Sequence, residues 1–393
     1  MSTLEIEPAR TEPLRRPTRV ASRRGRLACR VAGASLALLV LSAAAYGADP
    51  VLTRGPYLSR ARRTSITVAW RTDVAGTSVV HWGAGASLDR VATGSDGTTH
   101  KVRLRGLVPG ARYSYRVETS GVRLGRRRSF RALDPAADPS FRFAVVGDFG
   151  NGSSAEVAVE DRIVAARPRL LMTVGDNAYS TGSEAELDAR LFPQYADLID
   201  RVAINPALGN HDVATDGGAP ERQAFSLGPR AWYSFDASTA HFVVLDSNEG
   251  CVTEGCPQHD WLVADLARTT QPYRFVFFHH TISSCGSHGT DADLRAAWAP
   301  VFAEHGVQVV FMGHDHGYQR SVPVDGVVYV TTGGGGAGLY TWTTPCPEAA
   351  VVLDATSVPD AHHFVFVELA PAGATINAID RAGAVRDSFS VAP

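Results

Sequence analysis

The chain has 393 residues, 38 of them Lys or Arg and 40 Asp or Glu, for a formal net charge of −2. That near balance excludes a basic nucleic-acid binder, and 45% hydrophobic against 20% charged residues excludes an intrinsically disordered chain. Two domains are expected at this length, with enough chain to bury a sizeable core.

Residues 1–48 carry eight arginines against Glu5, Glu7 and Glu12 and run into Val31–Tyr46, sixteen residues without a charge. A bilayer-spanning helix needs about 20, so no stable membrane span is expected. A basic start, a short apolar run and small residues at Ala43–Ala48 have the layout of a signal peptide. Ser22–Leu27 (SRRGRL) also resembles a twin-arginine signal, although Arg26 stands where such signals carry an aromatic residue. The twin-arginine route, the general secretory route and an uncleaved anchor stay open. All imply export, to a periplasmic, secreted or cell-surface location. Past this segment the cysteines are Cys251, Cys256, Cys285 and Cys346. Four cysteines allow three pairings, and an oxidising compartment favours disulfides. Cys251–Cys256 and Cys285–Cys346 are the expected pairs, and none has zinc-site spacing.

Residues 49–135 read as an all-β domain. Ser65–Trp70 and Ser78–Trp82 alternate with period two, followed by Lys101–Leu104 and Tyr113–Val117 with Gly/Pro punctuation between, the pattern of a β-sandwich. The stretch Leu107–Tyr115 (LVPGARYSY) resembles a segment of fibronectin type III domains. The domain has no cluster of carboxylates or histidines, and His81 and His100 are read as surface residues. Asp134–Pro139 reads as a linker.

From residue 138 to 393 the pattern is α/β. Apolar runs at 141–146, 170–174, 204–208, 275–278 and 307–312 alternate with helix candidates Ser154–Ala166, Ser183–Ile199, Gln258–Leu266 and Asp291–His305, as in sheets with buried strands. Ligands bind outside the carboxyl ends of such strands. Here those ends read GDFG (147–150), GDNAY (175–179), GNHD (209–212), HH (279–280) and GHDH (313–316). A Gly-Asp pair or a lone His at one strand end is usually turn chemistry. Five in succession place carboxylates, an amide, a phenol and imidazoles on one edge, donors that suit transition metals and are too many for one ion. Gly333–Gly338 is no phosphate-binding loop, because no Lys-Ser/Thr follows it; it reads as a turn after the 327–331 strand. His362 and His363 read as structural or exposed.

In their order, these blocks resemble those of the purple acid phosphatases, within the calcineurin-like metallophosphoesterase superfamily, over about residues 141–320. The preceding β domain resembles that of the two-domain members. The resemblance implies a four-layer αββα sandwich and two metal ions: Fe(III) held by Asp148, Tyr179 and His316, a divalent Zn, Mn or Fe held by Asn210, His279 and His314, and Asp176 bridging them. It implies an exported acid phosphatase that hydrolyses small phosphate monoesters by attack of a metal-bound hydroxide, with His211 contacting substrate or protonating the leaving group. Asp212 and Asp315 match no ligand position and are read as supports. The chain departs from the family in reading His279-His280-Thr281-Ile282-Ser283 where a His-x-Pro-x-Tyr pattern is usual, so His280 or His288 would supply the second substrate-contacting imidazole. A phosphodiesterase or alkaline phosphatase on the same site is the alternative. A non-catalytic surface-binding protein would show eroded loops, whereas all seven ligand positions keep donors. The sequence specifies no oligomeric state.

Overall fold

The computed structural model describes residues 48–134, 138, 141–342, 345–358 and 360–393; the expected signal peptide lies outside them. Among the described residues, no helix is long and apolar enough to cross a membrane.

The N-terminal β domain contains β1 (Leu52–Arg62), β2 (Ser65–Ala84), β3 (Arg90–Arg105), β4 (Arg112–Thr119) and β5 (Val122–Arg131). The two strands read at 65–70 and 78–82 are one 20-residue strand. Its alternation lapses at exposed Asp73–Ala75, and the register to β3 shifts between Arg71, Gly76 and Ser78. Before the irregularity β2 pairs with β1 (Ala69 with Tyr57), and after it with β4 (Val80 with Val117). Such bulges bend a strand, so one long hairpin serves both groups of neighbours.

His100 is not on the surface. It is fully buried, stacks on Trp70 with ring centroids 4.8 Å apart, and bonds Thr72 Oγ1 and Ser78 Oγ at 2.7 and 2.8 Å. It shares a strand face with the buried Val102 and Leu104, and with both ring nitrogens satisfied it can be buried. His81 is half-buried, 2.9 Å from Glu118.

Two sheets carry the rest of the chain. In the first, β6 (Arg142–Val146), β7 (Leu170–Val174) and β8 (Ala203–Ala207) run parallel. Strand β1 joins β8 through one parallel pair, Ser59 with Ile204. The second has the order β15-β13-β14-β12-β11-β10-β9, where β9 is Tyr233–Ala237, β10 Ala240–Val244, β11 Tyr273–Phe277, β12 Val309–Met312, β13 Tyr318–Ser321, β14 Val328–Thr332 and β15 Ala349–Leu353. Strands β16 (His363–Ala370), β17 (Gly373–Asp380) and β18 (Val385–Val391) extend the first sheet beside β6. Between the sheets Phe143 meets Phe242, Phe275 and Phe277 at 5.1, 5.5 and 6.2 Å. Outside the first sheet, α1 (Ser154–Ala166) packs Val159 and Ile163 among Ala144, Leu171 and Phe364; outside the second, α2 (Pro257–Arg268) and α3 (Ala292–Glu304) pack Leu262, Trp298 and Phe302 on Val276 and Val310. These are the four layers expected. Ser153 caps α1 by accepting from Glu156 N–H, and Asp291 caps α3 by accepting from Asp293 and Leu294 N–H.

The helix expected over Ser183–Ile199 is present but irregular: Glu184–Glu186 and Phe192–Gln194 are joined by the π-helical turn Leu187–Leu191, and the helix kinks at Tyr195 (φ −92°, ψ 9°) before Ala196–Ile199. Pro193 withholds one N–H from the hydrogen-bond ladder inside this helix, and Glu184 and Asp188 on its first turns reach Arg71 and Arg54 of the β domain at 2.8 and 2.7 Å.

On β10, His241 lies between Asp236 and Asp265 at 2.6 and 2.9 Å. Burial opposes its protonation, but the two carboxylate bonds outweigh it and raise its pKa to about 9 from 6.5. The stabilisation is therefore full below pH 6.5 and is lost as pH rises through 9. It is worth on the order of 3 kcal/mol by linkage. Between those limits the protein is expected to lose melting temperature relative to its His241→Asn variant. Parallel melting curves for the two would show that the pair adds no pH-dependent stability.

Candidate metal centre

Each candidate residue follows the carboxyl end of a strand: Asp148 after β6, Asp176 after β7, Asn210 after β8, His279 after β11, and His314 and His316 after β12. The glycines of these loops let the backbones approach. A Cβ on Gly209 would lie 2.1 Å from Asp176 Oδ1, and one on Gly313 2.5 Å from Asp148 Oδ2. Asp148, Asp176 and His314 take left-handed backbone angles, with φ of 56°, 53° and 70°. Such residues cost about 1–3 kcal/mol each and cluster where strain serves a site.

The side chains form two groups that share one carboxylate. Asp148, Asp176 and His316 present ligand atoms within 4.8 Å of one another. Tyr179 Oη joins them, 2.9 Å from Asp176 Oδ2, 3.4 Å from Asp148 Oδ1 and 3.2 Å from His316 Nε2. In the second group His279 Nε2 lies 2.9 Å from Asn210 Oδ1 and 3.2 Å from His314 Nδ1. Asp176 Oδ1 is 3.4 Å from the same His279 nitrogen. One oxygen of Asp176 thus serves each group. His279 and His316 donate their Nδ1–H to the carbonyls of Val174 and Gly338 at 2.9 and 2.8 Å, which turns Nε2 of each toward the centre.

Burial pushes the pKa of His279 down to about 4, and burial together with the neighbouring imidazoles pushes His314 to about 2. Burial raises Asp176. Burial and the charges of Asp148 and Asp176 raise the Tyr179 phenol. For His316 burial works downward, but the bond to Asp148 prevails and its pKa rises. Neutral His279 therefore points a lone pair at the Asn210 oxygen, an acceptor facing an acceptor. That arrangement is repulsive until a cation lies between the two, and the shared carboxylate makes room for a second. The donor set fits two metal ions.

The three histidines expected to meet substrate surround these groups. His211 is 37% exposed; its Nδ1 bonds the Ser180 carbonyl at 2.6 Å, its Nε2 lies 3.9 Å from Asp176, and its ring is 4.6 Å from that of Tyr179. His280 is half-buried, bonded to Ser247 Oγ at 2.8 Å, with its ring 4.7 Å from His314 and its pKa lowered by burial. His288 is exposed and stacks on His314 at 3.9 Å. Both residues of the altered loop therefore reach the second group.

Asp212 accepts from the N–H groups of Asn177, Ala178 and Gly209, clasping the loops after β7 and β8. Asp315 accepts from the His288 N–H and the Ser284 hydroxyl. The glycine run closes on the site, since a Cβ on Gly333 would lie 2.9 Å from Asp148 Oδ2. His363 is buried and bonds Thr332 Oγ1 at 3.0 Å.

Sequence reasoning missed Tyr340. Its ring stacks on His316 at 4.1 Å and 13°, with Oη 3.5 Å from His316 Nε2. Its only signal was an aromatic residue just past the glycine run. Both expected disulfides are present, and Cys285–Cys346 ties the segment carrying His288 to the one carrying Tyr340.

Residues 141–318 match the calcineurin-like phosphoesterase family, and residues 54–132 match the purple acid phosphatase N-terminal domain. The chain is 26% identical over 317 residues to purple acid phosphatase 1 of Ipomoea batatas, covering 71% of this chain and 65% of that one. It is 26% identical over 290 residues to purple acid phosphatase 15 of Arabidopsis thaliana, covering 62% and 54%. It thus spans less than two thirds of the length of these two relatives. A purple acid phosphatase from yellow lupin (Lupinus luteus) seeds shares the fold, with a TM-score of 0.76 at 18% identity over 88% of this chain and 74% of that one. Sheet topology and sequence together define a calcineurin-like metallophosphoesterase. Within that class the matched domains and these relatives make the chain similar to the purple acid phosphatases, and that likeness implies a dinuclear metal centre.

Proposed function

We propose that the protein is an exported phosphatase that hydrolyses small phosphate monoesters at a two-metal centre. The observation that carries this reading is the division of seven donor side chains into two groups around Asp176. Asp148, Tyr179 and His316 would hold a ferric ion, because carboxylates and a phenolate are hard anionic donors. Asn210, His279 and His314, all neutral, would hold a divalent ion, and Asp176 would serve both. When bound, the ions activate water for attack on phosphorus and neutralise the charge on the phosphoryl oxygens. Export rests on the character of residues 1–48.

The chain's own residues supply the proton chemistry. His211 Nδ1–H is engaged by the Ser180 carbonyl, so Nε2 is the atom left to face substrate. From there it can bond a phosphoryl oxygen or protonate a departing alkoxide. His280 and His288 flank His314 and are placed to meet the leaving group. Hydrolysis of an aryl phosphate monoester against its bis-ester, with metal analysis of the same sample, tests the reading. Preference for the bis-ester would make the protein a phosphodiesterase.

The phenol of Tyr179 gives a second test. Its raised pKa means that it ionises only against a strong cation, so iron-loaded protein is expected to show a visible phenolate-to-iron band. Tyr179→Phe is expected to lose that band. An unchanged spectrum would remove Tyr179 from the ligand set.

A further inference from the structure

Charge is divided along the chain. Residues 49–134 hold 16 basic and six acidic side chains, whereas residues 135–393 hold 14 and 31. Part of the basic excess is neutralised across the junction, where Arg54 and Arg71 meet Asp188 and Glu184, and Arg126 and Arg128 meet Asp200. Another part gathers in one place. Arg112 opens β4 and Arg131 closes β5; Arg142 opens β6, Arg167 and Arg169 precede β7, and Arg201 precedes β8. These six line a single cavity of about 390 Å³.

Among the described residues, two carboxylates reach them. Asp138 lies 3.5 Å from Arg169, and Asp200, already engaged by Arg126 and Arg128, lies 3.3 Å from Arg201. Backbone carbonyls hold two of the six, Arg131 on Gly110 at 2.7 Å and Arg142 on Arg167 at 3.1 Å. Such bonds position a guanidinium without neutralising it. Burial lowers the pKa of Arg169, and the charges of Arg131, Arg142 and Arg112 lower it further against the opposing pull of Asp138. A cluster of this kind is relieved by an anion, and the planar fork of arginine matches phosphate oxygens in pairs.

The cavity lies at the amino ends of β6, β7 and β8, whose carboxyl ends lead to Asp148, Asp176 and Asn210. Five-residue strands at about 3.3 Å per residue put roughly 16 Å between the two edges. One phosphate cannot occupy both places.

We propose that this arginine-lined cavity is a second anion site, separate from the metal centre, that binds the linked phosphates of a polyphosphorylated ligand. Six guanidinium groups over such a volume exceed what a lone orthophosphate engages, and a chain of phosphates would meet several at once. The site does not depend on the activity of the opposite edge.

Calorimetric titration of the whole chain with tripolyphosphate tests this. Chelator-treated protein keeps the metal centre from contributing. One site per chain is expected, weakening steeply with added salt. Combined Arg112→Gln, Arg131→Gln and Arg167→Gln substitutions, all at exposed positions, are expected to weaken binding about tenfold or more. Hydrolysis of a small aryl phosphate by the metal-loaded variant should be unchanged, which also reports that it is folded. The corresponding triple lysine variant keeps the charge, and an intermediate loss is expected because the fork is gone. Equal affinity for wild type and the glutamine variant would overturn the proposal. So would displacement of tripolyphosphate by orthophosphate at equal concentration, because linked phosphates would then confer nothing. Capture by anionic phosphatidylglycerol vesicles through the same arginines, without competition from tripolyphosphate, would assign the cavity to a membrane surface instead.

Discussion

Asp176→Ala is expected to abolish hydrolysis of phosphate esters and to strip both metals, because among the described residues this carboxylate alone faces both donor groups. Its Oδ2 meets Tyr179 on one side and its Oδ1 meets His279 on the other. Stabilisation by a metal pair amounts to several kcal/mol, so the loss should reach about 10³–10⁵-fold. Asn210→Ala should behave differently. Asn210 Oδ1 lies near His279, and its removal should weaken the second group while leaving Asp148, Tyr179 and His316 in place. Metal counts per chain separate the two variants. Selective loss of the same single metal in both would mean that Asp176 does not bridge.

His211→Ala is expected to lower turnover by about 10²–10⁴-fold, the usual scale of general acid–base assistance, with both metals retained. The side chain reaches the Ser180 carbonyl and the edge of Asp176, while the donor after β8 comes from Asn210. The defect should be small for aryl phosphates, whose phenolates leave readily, and large for alkyl phosphates, whose alkoxides need a proton. An equal defect on both classes would assign His211 to phosphate binding and move the acid to His280 or His288. A variant depleted of metal would make His211 a support for Asn210. The backbone N–H of His211 also bonds Asp176 Oδ1 at 3.0 Å, and the alanine substitution leaves that bond in place.

The residues on the sheet edge were readable because each lies at a fixed short distance beyond an apolar run, where strand geometry leaves little freedom. Tyr340 was not readable. Its place beside His316 depends on a glycine run folding back against Asp148 and on backbone bonds with no periodic trace, among them Tyr340 N–H to the His316 carbonyl. His100 was misjudged because the strand read at 101–104 stopped one residue short, although alternation through Val102 and Leu104 carries the same inward face to position 100. The helix at 184–199 was readable, but its π-helical turn and its kink at Tyr195 were not. Its apolar spacing suits a helix, and two acidic side chains on its first turns reach Arg54 and Arg71. These are long-range partners that local pattern does not contain.

Asp148, Asp176 and Asn210 belong to one sheet, and His279, His314 and His316 to the other. Any ion bound between Asn210 and His279 is therefore also a rivet between two halves of the fold that otherwise meet through a core of aliphatic and aromatic side chains and a few hydrogen bonds. The unfolded chain scatters these donors over 169 positions and offers no comparable site, so metal occupancy becomes folding free energy. An ion at a hundred times its dissociation constant contributes about 2.7 kcal/mol. Loss of metal should loosen the seam between the sheets first, and a melting temperature that climbs with added metal in the wild type should stay flat in Asp176→Ala.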